Sequence, residues 1–372
     1  MNDDKQAVHI LRRPLKKAAA VLAAAVLLLS SGCNKAQPET ELFSLLLEKQ
    51  EQEQRQEQEE RQGENVILLT HSATAFSTTQ KIAGRFKMAL EEKSGGRFRV
   101  EIFPDDTLGH VNDSDRPLLN QTVEMRIGPA ATDTMGAMLW ASTLSDASLE
   151  EIDKLLKEGE ARRMLEEECE AKGIKLLAVF PAHYRVLLAV FPGNERIDEA
   201  EDFSKLEMRI FTSNTTEGAY WQSLGAQTRV YDIHQVFSAL QQGLVNSQEN
   251  TLPLIVSNSI HRLQKYLIMT NHKIYFECML VGMDFYDSLS EEEQKLLTET
   301  AQEMVDYARE MDERELEACT EVLSESGVET VELPDEVLRR MRETGGPVVE
   351  AALRAEAGDE KIDRLLTALR GE

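Results

Sequence analysis

Within about 40 residues near the start of its globular part the chain reads strand, helix, strand, and this rhythm constrains the fold more than any other feature. VILLTH at Val66 to His71 is an apolar run of strand length. The helix after it carries Ile82, Phe86, Ala89 and Leu90 on one face and stops at Ser94, Gly95 and Gly96. In RFRVEIF, Phe98, Val100 and Ile102 alternate with Arg97, Arg99 and Glu101 before Pro104 closes the strand. A parallel pair needs a crossover of this kind, so the pattern predicts a parallel sheet with helices on its faces.

The rhythm continues through VEMRIG at Val123, one helical segment from Leu149 to Ala171 stopped by Gly173, and strands at IKLLAVF, RVLLAVF and Met208. Thr215 to Leu224 reads as a helix and QTRVY as a short strand. DIHQVFSALQQG is a helix with Asp232 as N-cap, Gln235 in the capping-box position and Gly243 beyond its end. A long helix opens with the capping box at Ser290 and runs towards Ser324, with Leu296, Ala301 and Val305 as its core stripe. The fold class is α/β, and 372 residues exceed what one core comfortably fills, so two lobes are expected.

The first 32 residues read as a processing segment. Arg12, Arg13, Lys16 and Lys17 precede the apolar run Ala18 to Leu29, and Ser30, Ser31 and Gly32 lead directly to Cys33. That is a lipoprotein signal peptide with Cys33 as the lipidated residue, although Ser30 stands where the usual lipobox has leucine. The apolar run is shorter than the roughly 20 residues that span a bilayer. Residues 33–63 are rich in Glu and Gln without apolar a/d positions and read as a solvated tether. Cys169, Cys278 and Cys319 lie far apart and read as buried thiols or one optional disulfide, and the seven histidines form no metal-binding pattern. Neither a metal nor a cofactor is indicated. The net charge of -25 becomes -28 once the five basic and two acidic side chains of residues 1–32 are removed. Such a surface repels nucleic acid, so an anionic ligand would need a local group of arginines.

Arg209 ends the strand LEMRI just before a polar turn. Ligands of open α/β sheets bind beyond such ends, and a guanidinium there can grip a carboxylate through two parallel bonds. The pattern alone fits equally an arginine on the solvent side of an edge strand. Arg185 begins another apolar strand, where the pattern alone favours an exposed charge, and Asn250 ends LVNSQEN, where it reads as a turn residue after an apolar strand. Tyr184, Tyr220, Trp221 and Tyr231 are candidates for a cleft wall, with core packing the preferred role for any one of them. No Walker loop, GxGxxG or nucleophile elbow occurs, so an enzyme is not expected.

SGGRFRVEIFP, the arginine of LEMRIFTSN, VFSALQQG, the QEN of SQEN and LQKYLIMTNH, in that order, resemble the extracytoplasmic solute receptors of TRAP transporters over roughly Val66 to Leu323. The resemblance implies a two-lobe, periplasmic-binding-protein-like α/β fold with hinge strands and a long helix linking the lobes. Residues 64–184 with about 273–300 would form one lobe, and 185–272 with about 301–372 the other. It also implies that Arg209 binds the ligand carboxylate, with Arg185 as a second cationic contact, Asn250 as a hydrogen-bonding residue and His71 at the cleft entrance. Ile233 stands where relatives often place a phenylalanine that packs on the ligand, NSQENT replaces the commoner DGQENP, and Gln121 and Thr122 replace a usual Leu-Gly. The function implied is capture of a carboxylate-containing organic acid outside the cell, with delivery to one small and one large integral membrane subunit. The alternative is a ligand-sensing lipoprotein of the same fold that signals to a membrane receptor.

Overall fold

The computed structural model describes residues 65–108, 115–189, 197–211 and 215–371. The segments expected as signal peptide and tether, with Cys33, lie outside them. The eleven described strands are β1 (Asn65–His71), β2 (Phe98–Phe103), β3 (Met125–Gly128), β4 (Ile174–Val179), β5 (His183–Ala189), β6 (Glu207–Ile210), β7 (Gln227–Val230), β8 (Ser247–Asn250), β9 (Tyr266–Tyr275), β10 (Cys278–Gly282) and β11 (Glu329–Glu332). They form two sheets, ordered β2-β1-β3-β10-β4 and β11-β9-β5-β8-β6-β7.

Both sheets are mixed, which corrects the expectation of purely parallel pairing. β1 pairs in parallel with β2 and β3, as the opening rhythm requires, but β10 runs antiparallel to both β3 and β4. In the second sheet β6 is parallel to β7 and β8, whereas β5 is antiparallel to β8 and β9. The cause is connectivity. The chain passes from β4 to β5 through residues 180–182 and returns from β9 to β10 through residues 276–277. β5 and β9 pair antiparallel, so the two passages run in opposite directions and β10 re-enters the first sheet antiparallel to β4.

The helix Thr78–Lys93 buries Ile82, Phe86, Ala89 and Leu90 as its periodicity predicts, with the Ser77 side chain accepting from Gln80 N at its start. Residues 149–171, expected as one helix, form two, Leu149–Glu158 and Glu160–Ala171. The break is at Gly159, whose backbone is extended and lies so close to the preceding turn that a Cβ would stand 2.7 Å from Leu155 Cα. Any larger residue there would force the two helices apart.

The long helix Glu291–Glu325 starts at the capping box of Ser290 and Glu293. Its buried stripe is Leu297, Ala301, Met304 and Ala308, rotated from the expected one, with Leu296 and Val305 only partly buried. It packs on the helix Thr78–Lys93 and on β4, and also on the helix Leu252–Ser257, so it touches elements that flank both sheets.

Two glycines in helices give a matched test of packing. The helix Asp335–Ala357 lies on the helix Thr215–Ser223, and a Cβ on Gly345 would meet the Tyr220 ring at 2.3 Å. Gly84 has open space around it. Alanine raises helix propensity at either position by up to about 1 kcal/mol, whereas overpacking a core contact costs about 1–3 kcal/mol. Urea unfolding should therefore show Gly84→Ala more stable than the natural protein and Gly345→Ala less stable. Shifts of the same sign would contradict the described helix packing.

Candidate functional site

A cavity of about 630 Å³ opens at the strand ends of both sheets. Its wall includes Thr70 and His71 from β1, Arg126 from β3, Arg185 from β5, Arg209 from β6, Asn250 from β8 and Lys273 from β9. This is a volume suited to a small organic ligand.

Arg209 is placed by register. β6 lies between β7 and β8, with Arg209 opposite Arg229 on one side and Gln248 on the other. It is therefore an interior-strand residue, not the edge arginine that the sequence equally allowed, and it is only 2 % exposed. Its Nε donates to the carbonyl of Tyr231 at 2.8 Å, and the Phe211 ring lies 5.5 Å from the guanidinium carbon. Nη2 is buried with no acceptor, and among the described residues no carboxylate forms an ion pair with it. Burial pulls its pKa down to about 10, against the attraction of the more distant Glu217 and Glu249. A buried guanidinium in that condition is unfavourable until an anion reaches it.

Arg185 differs. It is buried, but its Nη2 donates to Glu249 Oε1 at 2.7 Å and to the Glu249 carbonyl at 3.2 Å, and its Nε donates to Oε2. Burial works against its charge, yet Glu249 holds its pKa above the usual value. Burial likewise pushes the Glu249 carboxyl up, and Arg185 with His272 and Lys273 overcomes this and holds it well below the ordinary range. Arg185 lines the cavity as an ion-paired cation, while Arg209 lines it with no ion-pair partner among the described residues.

Asn250 is the last residue of β8 and not part of a turn, correcting the reading of LVNSQEN. The strand is the polar SQEN itself, wholly buried and paired with both β5 and β6. Within it Glu249 is held by Arg185, whereas among the described residues Ser247 Oγ and both polar atoms of the Gln248 amide are buried without a hydrogen-bond partner. Asn250 Oδ1 accepts from Thr251 N at 3.2 Å, which leaves the amide nitrogen to offer a ligand. His71 and Ile233 also line the cavity. Tyr231 is not among the wall residues, and its contribution is the carbonyl that holds Arg209. Tyr220 and Trp221 are fully buried in the core and stack around His272, and Tyr184 packs against the same core.

The sequence reading passed over Glu217, Lys273 and the acidic wall. Lys273 Nζ stands 3.5 Å from Glu217 Oε2 and 4.9 Å from the Trp140 ring centroid. Burial pushes the Glu217 carboxyl's pKa up, and the attraction of Lys273 only partly offsets this. On the wall formed by the helix Thr78–Lys93, the β9–β10 connection and the long helix, Thr79 and Tyr275 donate to Glu277 while Thr78 donates to Glu315. His183 contacts Asp312 at 3.2 Å. Arg126 is compensated by Asp115 at 2.9 Å and by the carbonyl of Pro129. The one available signal was chemical: a lysine inside the apolar strand LIMTNHKIYF has to find a partner.

Two mixed sheets joined by crossing strands, with a cavity at the strand ends, form the architecture of a solute-binding protein. More particularly, the chain belongs to the bacterial extracellular solute-binding proteins, family 7, whose sequence profile matches residues 69–355. It is 27 % identical over 268 residues to the C4-dicarboxylate-binding periplasmic protein DctP of Rhodobacter capsulatus, covering 70 % of this chain and 78 % of that one. It is 28 % identical over 204 residues to the ectoine-binding periplasmic protein TeaA of Halomonas elongata, covering 53 % and 58 %. The fold matches that of a TRAP periplasmic solute-binding protein from Desulfovibrio salexigens with bound orotic acid, with a TM-score of 0.72 at 21 % identity over 82 % of this chain and 98 % of that one. A second match is to such a protein from a Sulfitobacter species with bound β-D-galacturonate, with a TM-score of 0.71 at 21 % identity over 83 % and 100 %. These relatives are receptors and not enzymes.

Proposed function

We propose that the protein captures a carboxylate-containing organic acid outside the cell and delivers it to the small and large membrane subunits of a TRAP-type transporter. The observation that carries the reading is Arg209, which is buried in the cavity with Nη2 unbonded and, among the described residues, no carboxylate in ion-pair contact with it. A ligand carboxylate would supply the missing counter-ion through two parallel charge-assisted bonds. Asn250 would add a donor, and Ile233 would pack on the ligand body. Arg185, already held by Glu249, would act from behind by keeping the β5 and β8 ends in register. In this reading residues 64–184 with about 273–300, and 185–272 with about 301–372, are the two lobes that close on the acid. The relatives' named ligands, C4-dicarboxylate and β-D-galacturonate among them, support the carboxylate requirement.

At its N-terminus the same reading has Cys33 carrying a lipid and residues 33–63 holding the receptor clear of the membrane. Thermal unfolding of the full chain against a panel of organic acids tests the capture step. A ligand at 100 times its dissociation constant adds about 2.7 kcal/mol of stability. At least one carboxylate should raise the midpoint, and stabilisation by uncharged solutes alone would sink the proposal.

A further inference from the structure

Among the described residues the cavity holds three unbonded polar atoms on side chains that are more than nine-tenths buried: Arg209 Nη2, Glu217 Oε1 and His71 Nδ1. Arg209 can only donate. Glu217 is 4 % exposed and stands in the first turn of the helix that follows β6; Lys273 faces its Oε2, Glu249 lies beside the carboxyl, and among the described residues no donor reaches Oε1. His71 is 2 % exposed, and its Nε2 lies 2.8 Å from Gln80 Oε1, an atom that can only accept. Its Nδ1 has no hydrogen-bond partner among the described residues. A guanidinium nitrogen, a carboxyl oxygen and an imidazole nitrogen are thus left without partners.

We propose that the captured acid bears a single carboxylate, bound at Arg209, and hydrogen-bond donors elsewhere on its skeleton, hydroxyl or ammonium, which Glu217 and His71 read. The proposal rests on Arg209 as the carboxylate site and deepens that reading by naming the ligand class. Among the described residues a second carboxylate finds no unpaired cation on this wall. Of the four Lys and Arg side chains on the wall, Arg126 is held by Asp115, Arg185 by Glu249 and Lys273 by Glu217. The same wall carries six Asp and Glu side chains, Glu277, Asp312 and Glu315 among them. A dicarboxylate would bring a negative charge against that surface, whereas a hydroxyl or ammonium gives Glu217 the partner its buried oxygen lacks.

Calorimetric titration of the full chain tests this with acids of three to six carbons. Each skeleton is supplied as the unsubstituted acid, the 2-oxo acid, the dicarboxylate, the hydroxy acid and the amino acid. Sites built to bond a hydroxyl or amine reject analogues that lack it, by factors well above about 100 in favourable cases. Hydroxy or amino acids should bind at least about tenfold more tightly than the other members of their skeleton, and the preferred arm shows which donor is read. Glu217→Gln should narrow that preference. The ranking by the natural protein decides the matter even if the variant folds poorly. Should a dicarboxylate or 2-oxo acid bind as tightly as its hydroxylated counterpart, and Arg209→Lys weaken it, the carboxylate site stands and the donor proposal falls. Should no carboxylate of any kind bind, both fall.

Discussion

Arg209→Ala should abolish acid binding while leaving the ligand-free protein about as stable as before. A bidentate guanidinium contributes two charge-assisted bonds of about 1.5–3 kcal/mol each. Their loss corresponds to a dissociation constant raised by roughly 100-fold to 10,000-fold. The second half of the prediction separates a ligand clamp from a structural arginine. Among the described residues Arg209 makes one side-chain hydrogen bond, from Nε to the Tyr231 carbonyl, while Nη2 is buried without a partner. Removing it deletes one ordinary bond, worth about 1 kcal/mol, and relieves an uncompensated buried charge. Urea unfolding without ligand should thus shift by no more than about 1–2 kcal/mol in either direction. A large loss of ligand-free stability would assign Arg209 to the core instead.

Glu249→Ala should have the opposite profile, with a severe loss of stability whether or not ligand is present. Glu249 is 1 % exposed and, among the described residues, is the carboxylate paired with Arg185, itself buried at the same strand junction. Removing one member of such a pair leaves the other charge without compensation, which costs about 3–5 kcal/mol. The lost contact also lies where β5 and β8 pair, Val186 opposite Asn250 and Leu187 opposite Glu249, so the damage reaches the strand end that carries Asn250. A denaturant midpoint shifted by less than about 1 kcal/mol would show that Arg185 is satisfied by other means.

The contrast between the two arginines shows where sequence reasoning works and where it stops. The helix Thr78–Lys93 was legible because Ile82, Phe86, Ala89 and Leu90 share a face that nothing but a core could cover. The mixed character of the sheets was not, because strand direction at β10 depends on a two-residue return from the other sheet. β8 was misread for a related reason. SQEN carries no hydrophobic period, and its burial is set by partners far along the chain, Arg185 above all. The same limit hid half of the site. Arg209 stood out as a cation at a strand end, but its lack of a counter-ion is a tertiary fact. So is the pairing of Lys273 with Glu217, which lie 56 residues apart. The Gly159 break was equally invisible, because it reflects a close approach to Leu155 and not a change of period.

The central claim is that an ionised carboxylate completes Arg209. Its most direct test is to titrate the natural protein with the acid that stabilises it best and with the primary amide of that acid, which keeps the shape and removes the charge. The amide should bind at least about 100-fold more weakly, the loss of charge-assisted bonding to a buried guanidinium. Equal affinity for acid and amide would mean that the Arg209 guanidinium is not what the ligand meets.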